Sequence, residues 1–204
     1  MIEVLNLNIK AKNTQILHNI SFISNSNLAI LGSSGSGKST LCKAICSILP
    51  NNVKADYAKL QTDEKPAYIF QDCISCFYPY LKIKDTFKTV LKNNASSANQ
   101  IFDELHIPKQ VWEMYPYELS RGIASRVQIA LNLALDAKIL LLDEVTSSLD
   151  ETNTNRVIEI LLRLNIQKVV ITHDENLAFT LCDEVLVLED GRMTYFGDKI
   201  GYFS

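Results

Sequence analysis

Hydrophobic and polar residues alternate through the first part of the chain. The segments 2–9 and 16–23 have apolar side chains at roughly every second position, and Asn, Lys and Ser residues lie between and after them. A period of two is typical of strands that bury one face, and the polar residues favour turns. The opening of the chain is therefore predicted to consist of antiparallel strands.

From residue 28 onward, short apolar runs alternate with longer amphipathic segments. The sequence predicts strands at 28–31, 67–70, 139–142, 168–172 and 184–188, and helices at 41–49, 121–135, 151–164 and 174–182. The first helix should stop at Pro50, and Asp190-Gly191 should turn the chain into a last strand around 193–195. Strands that alternate with helices imply an α/β fold with a mostly parallel sheet.

The segment 73–118 departs from this alternation. It is polar and three prolines interrupt it, Pro79, Pro108 and Pro116. Helical stretches near 84–92 and 98–105 are joined by a polar connection, Asn93 to Asn99. With the helix that follows, this segment is predicted to form an inserted helical subdomain at about 73–135.

Composition narrows the class of protein. A chain of 204 residues fits one domain, predicted to span 1–204, and its 20 basic against 23 acidic residues give a net charge of −3. This balance lacks the basic excess of a nucleic-acid-binding domain. The N-terminus has no secretory pattern, and no apolar run approaches the roughly 18 residues of a membrane span. A cytoplasmic protein is expected.

The cysteines are predicted to be packing residues rather than redox or metal-binding residues. The five are Cys42, Cys46, Cys73, Cys76 and Cys182, an odd number in a chain without a secretory pattern. The pair Cys73-x-x-Cys76 suggests a redox or zinc site, but a second such pair and a nearby histidine pair are missing. Reduced thiols that serve as small buried side chains are expected.

The residues after the strand 28–31 carry the strongest chemical signal. They read G-x-x-x-x-G-K-S, the phosphate-binding P-loop, in the run Gly32-Ser33-Ser34-Gly35-Ser36-Gly37-Lys38-Ser39-Thr40. Glycines let the backbone wrap an anion, and the following helix adds partial positive charge. Lys38 is expected to reach the β- and γ-phosphates of a nucleotide, and the Ser39 hydroxyl to bind Mg²⁺. The flanking strand and helix favour this interpretation over a Gly/Ser-rich linker.

Two acids, Asp143 and Glu144, close the apolar run 139–142. Ligands bind at the carboxyl ends of strands in open α/β sheets. Asp143 is expected to be the Mg²⁺ partner opposite Ser39, through water, and Glu144 to polarise a water that attacks the γ-phosphate. The combination with a P-loop favours this over a solvated acidic strand end.

Four further segments follow one another in a specific order. They are Gln71 after the strand 67–70, Leu119-Ser120-Arg121-Gly122, Ser148-Leu149-Asp150 and His173. With the P-loop, they resemble in order and spacing the ATP-binding subunits of ATP-binding cassette (ABC) transporters over nearly the whole chain. The resulting prediction is a P-loop NTPase core with a mostly parallel sheet, N-terminal antiparallel β strands and an inserted helical subdomain.

The resemblance implies roles in catalysis for two of these residues. Gln71 would ligate Mg²⁺ or water and report to the helical subdomain. His173 would hydrogen-bond the γ-phosphate of ATP and hold Glu144 and the attacking water in line.

The resemblance also implies a site shared between two subunits. Ser120 and the backbone of Gly122 would bind the γ-phosphate of ATP held by a partner subunit, at a helix N-terminus. Asp150 would pack across the dimer interface. It is also a candidate N-cap of the helix 151–164, and one residue can do both.

The runs 68–72 and 115–120 are similar to the peptide/nickel importer branch of the family. This implies an ATPase subunit at the cytoplasmic face of the inner membrane, importing nickel, another metal chelate or short peptides. Its partners would be a second ATPase subunit in a head-to-tail hetero- or homodimer, membrane permease subunits and an extracytoplasmic binding protein, without nucleic acid. The alternatives are a weakly hydrolysing regulatory subunit and a non-transport ABC ATPase.

Three positions depart from the family pattern. Arg121 stands where a signature glycine is usual, and Val145 stands where a proline usually follows the acid pair. The aromatic residue that would stack on adenine near residue 11 is missing. These departures bear on turnover and base selectivity rather than on the fold.

Overall fold

The structure, a computed structural model, describes residues 1–92, 96–147 and 149–204. Ser148, part of the resemblance above, lies outside these ranges, as does part of the polar connection predicted from Asn93 to Asn99. The chain forms two compact units, the first made of Met1–Tyr68, Ile139–Glu144 and Ile166–Ser204 and the second of Ile69–Lys138 and Val145–Asn165. The predicted single domain with an insertion at about 73–135 stays a prediction.

Strands occupy the predicted apolar runs and some further segments. They are β1 (Ile2–Ala11), β2 (Thr14–Ser24), β3 (Leu28–Leu31), β4 (Val53–Asp56), β5 (Lys59–Thr62), β6 (Pro66–Ile69), β7 (Ile139–Asp143), β8 (Gln167–Ile171), β9 (Glu184–Glu189) and β10 (Arg192–Asp198). The helices are α1 (Lys38–Ile45), α2 (Ile83–Leu91), α3 (Ser96–Glu104), α4 (Arg121–Ala134), α5 (Glu151–Arg163), α6 (Glu175–Leu181) and α7 (Lys199–Phe203), with 3₁₀ turns at Lys109–Glu113 and Pro116–Glu118.

The N-terminal strands form an antiparallel sheet, as predicted. Strand β1 pairs with β2 on one side and with both β4 and β5 on the other. Neither β4 nor β5 was predicted, because each is short and has few apolar residues. They form because β1 offers them a free edge.

The second sheet has six strands in the order β10-β9-β3-β8-β7-β6. Strand β3 is parallel to β8 and β9, β7 is parallel to β8, and β10 is antiparallel to β9. The mostly parallel sheet is therefore confirmed. Adjacent strands β3, β8 and β7 carry the P-loop, His173 and the acid pair at their carboxyl ends. This strand order is what brings the predicted catalytic residues together.

Helix α1 differs from its prediction at both ends. It starts at Lys38, inside the P-loop, and ends at Ile45 rather than running from 41 to Pro50. Ser47 takes a left-handed φ of 57°, and its N–H donates to Ala44 O while the Ile48 N–H donates to Lys43 O. These two bonds make a Schellman end, which the sequence hides because serine replaces the usual glycine.

Each unit has its own apolar core. In the first, side chains from both sheets pack with α1, among them Leu7, Ile30, Leu41 and Leu141, each inaccessible to solvent. In the second, Phe87, Phe102 and Trp112 form an aromatic cluster in which the Phe102 and Trp112 rings stack at 3.8 Å. Burial of this apolar area supplies most of the folding free energy.

The cysteine prediction holds in part. Cys42, Cys73 and Cys182 are buried, and Cys46 is partly buried, but Cys76 is exposed, so it was wrong to predict a buried side chain there. The described residues contain no group of three or more His, Cys, Asp or Glu placed to hold a metal ion. Over the same ranges, no helix is long and apolar enough to cross a membrane.

Candidate functional site

The P-loop follows β3 and depends on backbone conformations that glycine permits. Gly32 has a φ of 140°, and a Cβ there would lie 2.1 Å from the carbonyl oxygen of Leu188. The loop turns at Ser36, whose N–H donates to Ser33 O over 3.2 Å. The Ser36 hydroxyl is buried and has no hydrogen-bond partner among the described residues. A buried polar group of this kind favours a ligand that supplies the missing partner.

The loop leads directly into α1. Gly37 is the N-cap of this helix with a φ of 102°, and a Cβ there would lie 2.5 Å from Leu17 Cδ2. Ser34 and Gly35 are exposed, and Thr40 lies partly buried in the first turn. The helix thus presents an N-terminus without a carboxylate in its first turn, the arrangement in which free N–H groups attract an anion.

Lys38 lies within the loop that it is expected to serve. Its Nζ donates to the carbonyl oxygens of Gly32 and Ser33, each at 2.7 Å, and the residue is 8% exposed. Burial lowers the pKa of Lys38, while the charges of Glu144 and Asp143 act in the opposite direction. A partly desolvated ammonium interacts strongly with the next anion to approach it.

Asp143 ends β7 and holds two hydroxyl groups. Ser39 Oγ donates to its Oδ1 at 3.0 Å, and the hydroxyl of Tyr68, on β6, donates to its Oδ2. Burial and the bond to Asp143 raise the pKa of Tyr68 well above its usual value, so this side chain is a neutral donor. The sequence predicts Tyr68 as an apolar strand residue and as part of the run 68–72, and its contact with Asp143 was missed.

The donors at this point fit Mg²⁺. Ser39 and Asp143 offer a hydroxyl and a carboxylate oxygen 3.0 Å apart, and Mg²⁺ takes oxygen ligands together with water. Both side chains are anchored, Ser39 on α1 and Asp143 by Tyr68. The proposed Mg²⁺ site therefore has the chemistry that the ion requires.

Glu144 stands on an unusual backbone. It has a φ of 47°, in the left-handed region that non-glycine residues seldom adopt, and its N–H donates to Ile171 O at 3.1 Å. Its Oε1 lies 3.8 Å from Nδ1 of His173, which is 73% exposed. The turn after β7 aims the Glu144 carboxylate toward the residue that follows β8, so these two predicted catalytic residues meet.

Gln71 belongs to the second unit. Its Nε2 donates to Ser147 Oγ at 3.3 Å, and the side chain is exposed. Both residues lie in loops, after β6 and after the acid pair respectively. The role of Gln71 as a Mg²⁺ ligand stays a prediction.

The predicted signature residues lie at the N-terminus of α4. Ser120 is its N-cap, and its Oγ accepts from the N–H of Ile123 at 3.4 Å. Gly122 is buried in the first turn, where its carbonyl accepts from Nε of Arg126 at 3.0 Å. Arg126 also donates to His106 O at 2.6 Å, and burial lowers its pKa. No pattern in the sequence predicts this internal guanidinium, since it lies in a helix predicted from its apolar face.

Asp150 is the N-cap of α5, as one alternative predicted. Its carboxylate accepts from the backbone N–H of Asn153 at 3.0 Å and from Asn153 Nδ2 at 2.6 Å. These hydrogen bonds lower the pKa of Asp150. Packing of Asp150 across a dimer interface stays a prediction.

The departures from the family pattern have definite surroundings. Arg121 is exposed and lines a surface groove of the second unit together with residues 71–74. Hydrogen bonds from Ser75, with a smaller contribution from Arg121, lower the pKa of Asp72 in this groove. Val145 is buried. The guanidinium of Arg121 therefore has a neighbouring carboxylate in its own unit.

A family model and several known proteins are similar to this chain. A model of the ABC transporter family matches residues 17–147. The glutamate transport ATP-binding protein of Corynebacterium efficiens is 34% identical, over 87% of this chain and 81% of that protein. The nickel import ATP-binding protein of Brucella abortus is 32% identical, over 81% of this chain and 72% of that protein.

A third relative and a solved structure are also similar to this chain. The oligopeptide transport ATP-binding protein of Haemophilus influenzae is 30% identical over 88% of this chain, which spans 65% of that protein. The structure of cbiO1 from Clostridium perfringens, part of the ABC transporter complex cbiONQ, superposes with a TM-score of 0.81 and 25% identity. The superposition covers 99% of this chain and 90% of the other chain. The chain therefore belongs to the ABC transporter family, as one of its ATP-binding ATPases.

Proposed function

We propose that this chain is the ATP-hydrolysing subunit of an ABC importer whose cargo is nickel, another metal chelate or short peptides. The observation that carries the proposal is one cluster at the ends of three adjacent strands. It contains Lys38 and Ser39 after β3, Asp143 and Glu144 after β7, and His173 after β8. Cation, metal-ligating oxygens and base are the groups that phosphoryl transfer to water requires.

The residues of the cluster divide the work. Lys38 exchanges its bonds to the Gly32 and Ser33 carbonyls for bonds to the β- and γ-phosphates of ATP. Ser39 and Asp143 would hold Mg²⁺, which would supply positive charge against the phosphates.

Glu144 and His173 act on the water. Glu144 accepts a hydrogen bond from the attacking water and orients it toward the γ-phosphate. His173, 3.8 Å from the Glu144 carboxylate, keeps that carboxylate in line and hydrogen-bonds the γ-phosphate. The exposure of His173 leaves it free to turn between these two partners.

A second ATPase subunit completes the site. In this proposal the subunits form a head-to-tail dimer, identical or different, in which Ser120, Gly122 and Asp150 of this chain serve the ATP of the other. Membrane permease subunits and an extracytoplasmic binding protein complete the importer, and the chain docks on the cytoplasmic face of the inner membrane. The exposed N-terminus of α4 supports the shared ATP site, because its free N–H groups suit an anion.

Sequence similarity to known transport proteins bears on the identity of the cargo. Relatives named for glutamate, nickel and oligopeptide transport match at 34%, 32% and 30% identity, so overall similarity does not separate these substrates. The runs 68–72 and 115–120 favour the peptide/nickel branch. The presence of Arg121 in the signature favours a second candidate, a weakly hydrolysing regulatory subunit whose partner catalyses.

The test is reconstitution of the intact complex. The chain is purified with the proteins that accompany it, placed in vesicles, and supplied with ATP and either radiolabelled nickel–histidine or a labelled tripeptide. ATP-dependent uptake of one probe, lost in a complex carrying Lys38→Ala, is expected, while the isolated chain should hydrolyse ATP poorly. Fast, concentration-independent hydrolysis by the isolated chain would contradict the shared site, and a complex without membrane subunits would favour a non-transport ATPase.

A further inference from the structure

Asn153, in the first turn of α5, bridges two segments of the second unit. Its backbone N–H donates to Oδ1 of Asp150 at 3.0 Å, and its side-chain Nδ2 donates to Oδ2 at 2.6 Å. Both carboxylate oxygens of Asp150 are thus held by one residue. A cap usually needs one such bond, so the second bond restrains the Asp150 side chain further.

The same side chain packs against the signature glycine. A Cβ on Gly122 would lie 2.8 Å from both Cγ and Oδ1 of Asn153, and 3.0 Å from its Cβ. Real Cβ atoms do not approach so closely, so Asn153 occupies the space that only glycine leaves. The Gly122 carbonyl also accepts a hydrogen bond from Nε of Arg126, one turn later in the same helix, at 3.0 Å. The first turn of α4 is therefore in close contact with Asn153 and hydrogen-bonded to Arg126.

We propose that Asn153 is a positioning residue that ties Asp150 to Gly122. It keeps the cap of α5 and the N-terminus of α4 in one fixed arrangement, so that both segments are presented together to a second subunit. This consequence for catalysis rests on the function proposed above. The contact itself rests on the geometry of this chain alone.

The physical reason lies in preorganisation. Backbone donors aimed at a phosphate act most strongly when they need no rearrangement as charge develops. Removing the Asn153 side chain takes away the hydrogen bond to Oδ2 of Asp150 and leaves space beside Gly122. The two segments then fluctuate separately, and the geometry of the shared site is held for a smaller fraction of the time.

Hydrogen exchange on the isolated chain tests the contact. Asn153→Ala is compared with Asn155→Ala, which removes an exposed amide from the same helix two residues later. In Asn153→Ala the amides of residues 123–126 should exchange about tenfold faster, since local opening becomes less costly. Equal exchange in the two variants would overturn the proposal.

A steric double-mutant cycle gives a second, independent test. Gly122→Ala introduces the clash with Asn153 and should lower the melting temperature by about 5 °C. In the Asn153→Ala background the two closest contacts are gone, so the same change should cost less than half as much. Additive shifts would show that the two residues do not interact.

Kinetics of the reconstituted complex test the consequence for catalysis. Asn153→Ala should lower kcat about three- to tenfold with little change in KM for ATP, whereas Asn155→Ala should leave both unchanged. A parallel rise in KM, or equal kinetics for both variants, would contradict the positioning role. If the wild-type complex fails to hydrolyse ATP, the proposed function fails, while exchange and the steric cycle still decide the contact.

Discussion

The P-loop cluster of the first unit and the signature segment of the second hold their predicted functional groups in place in opposite ways. In the cluster, the working side chains of Lys38 and Asp143 are buried, at 8% and 9% exposure, and each makes two hydrogen bonds. In the signature segment, meaning residues 120–122 together with Asp150, both Ser120 and Asp150 are exposed helix caps, and the predicted ligand contacts come largely from the backbone. Substitution in the cluster removes chemistry, whereas substitution in the signature segment shifts geometry.

The largest effect is expected at Lys38, where the comparison would break most clearly. Lys38→Ala removes the ammonium held inside the loop, and charge-assisted hydrogen bonds contribute about 1.5–3 kcal/mol each. The Kd for ATP should therefore rise more than about a hundredfold, as measured by calorimetry. The control Lys54→Ala removes an exposed lysine of β4 and should leave the Kd unchanged. Full affinity in Lys38→Ala would disprove the P-loop assignment.

Glu144→Gln should separate binding from hydrolysis. The amide keeps the shape of the side chain but cannot accept a proton from water, so kcat in the assembled complex should fall by at least about a hundredfold. ATP binding and dimer closure should persist, as measured by nucleotide affinity and gel filtration. Wild-type turnover in this variant would mean that another group is the base. Glu189→Gln, at an exposed acid that ends β9, is the matched control.

Tyr68→Phe tests the anchoring of Asp143. The change leaves Oδ2 of a buried carboxylate without its donor, which costs about 1–3 kcal/mol of stability. The melting temperature should fall, and the Mg²⁺ concentration for half-maximal hydrolysis should rise about tenfold. Tyr57→Phe, at a half-exposed tyrosine, should change neither value. Unchanged Mg²⁺ dependence in Tyr68→Phe would show that this anchor is dispensable.

The smallest effect is expected at Arg121, which sharpens the signature side of the comparison. Its guanidinium is exposed beside Asp72, and solvent screens exposed charge interactions so that they contribute little. Arg121→Gly should thus change turnover by less than about fivefold, and at the partner's P-loop. The measurement disables each P-loop lysine in turn within a complex of two different ATPase subunits. A change confined to this chain's own P-loop would contradict the head-to-tail arrangement.

Elements with a local signal were predictable from sequence. The continuous apolar run of β7 is by itself a strand signal, and Asp190-Gly191 is by itself a turn signal. Both residues of the turn take left-handed φ values, of 44° and 73°. The sequences of strands β4 and β5 contain no such local signal. Their polar sequences become strands because the edge of β1 is available, which depends on residues some fifty positions away.

The site shows the same division. Spacing alone predicted Lys38, Asp143 and Glu144, because each belongs to a motif that keeps one order along the chain. Tyr68 and Asn153 belong to none of the motifs that predicted phosphate or Mg²⁺ contacts. Composition and periodicity assign Tyr68 to an apolar strand and Asn153 to a polar helix. The contact of Tyr68 with Asp143, 75 residues later, depends on the fold, whereas that of Asn153 with Asp150 is local to the helix cap.

The left-handed backbone at Glu144 has a consequence for selection experiments. Glycine adopts this conformation freely, while other residues pay about 1 kcal/mol for it. A screen for heat-resistant variants should accordingly enrich Glu144→Gly, and the survivors would be unable to hydrolyse ATP. With the catalytic role proposed for Glu144, heat tolerance and turnover are opposed at this residue, so thermal robustness would be a misleading guide for improving the enzyme.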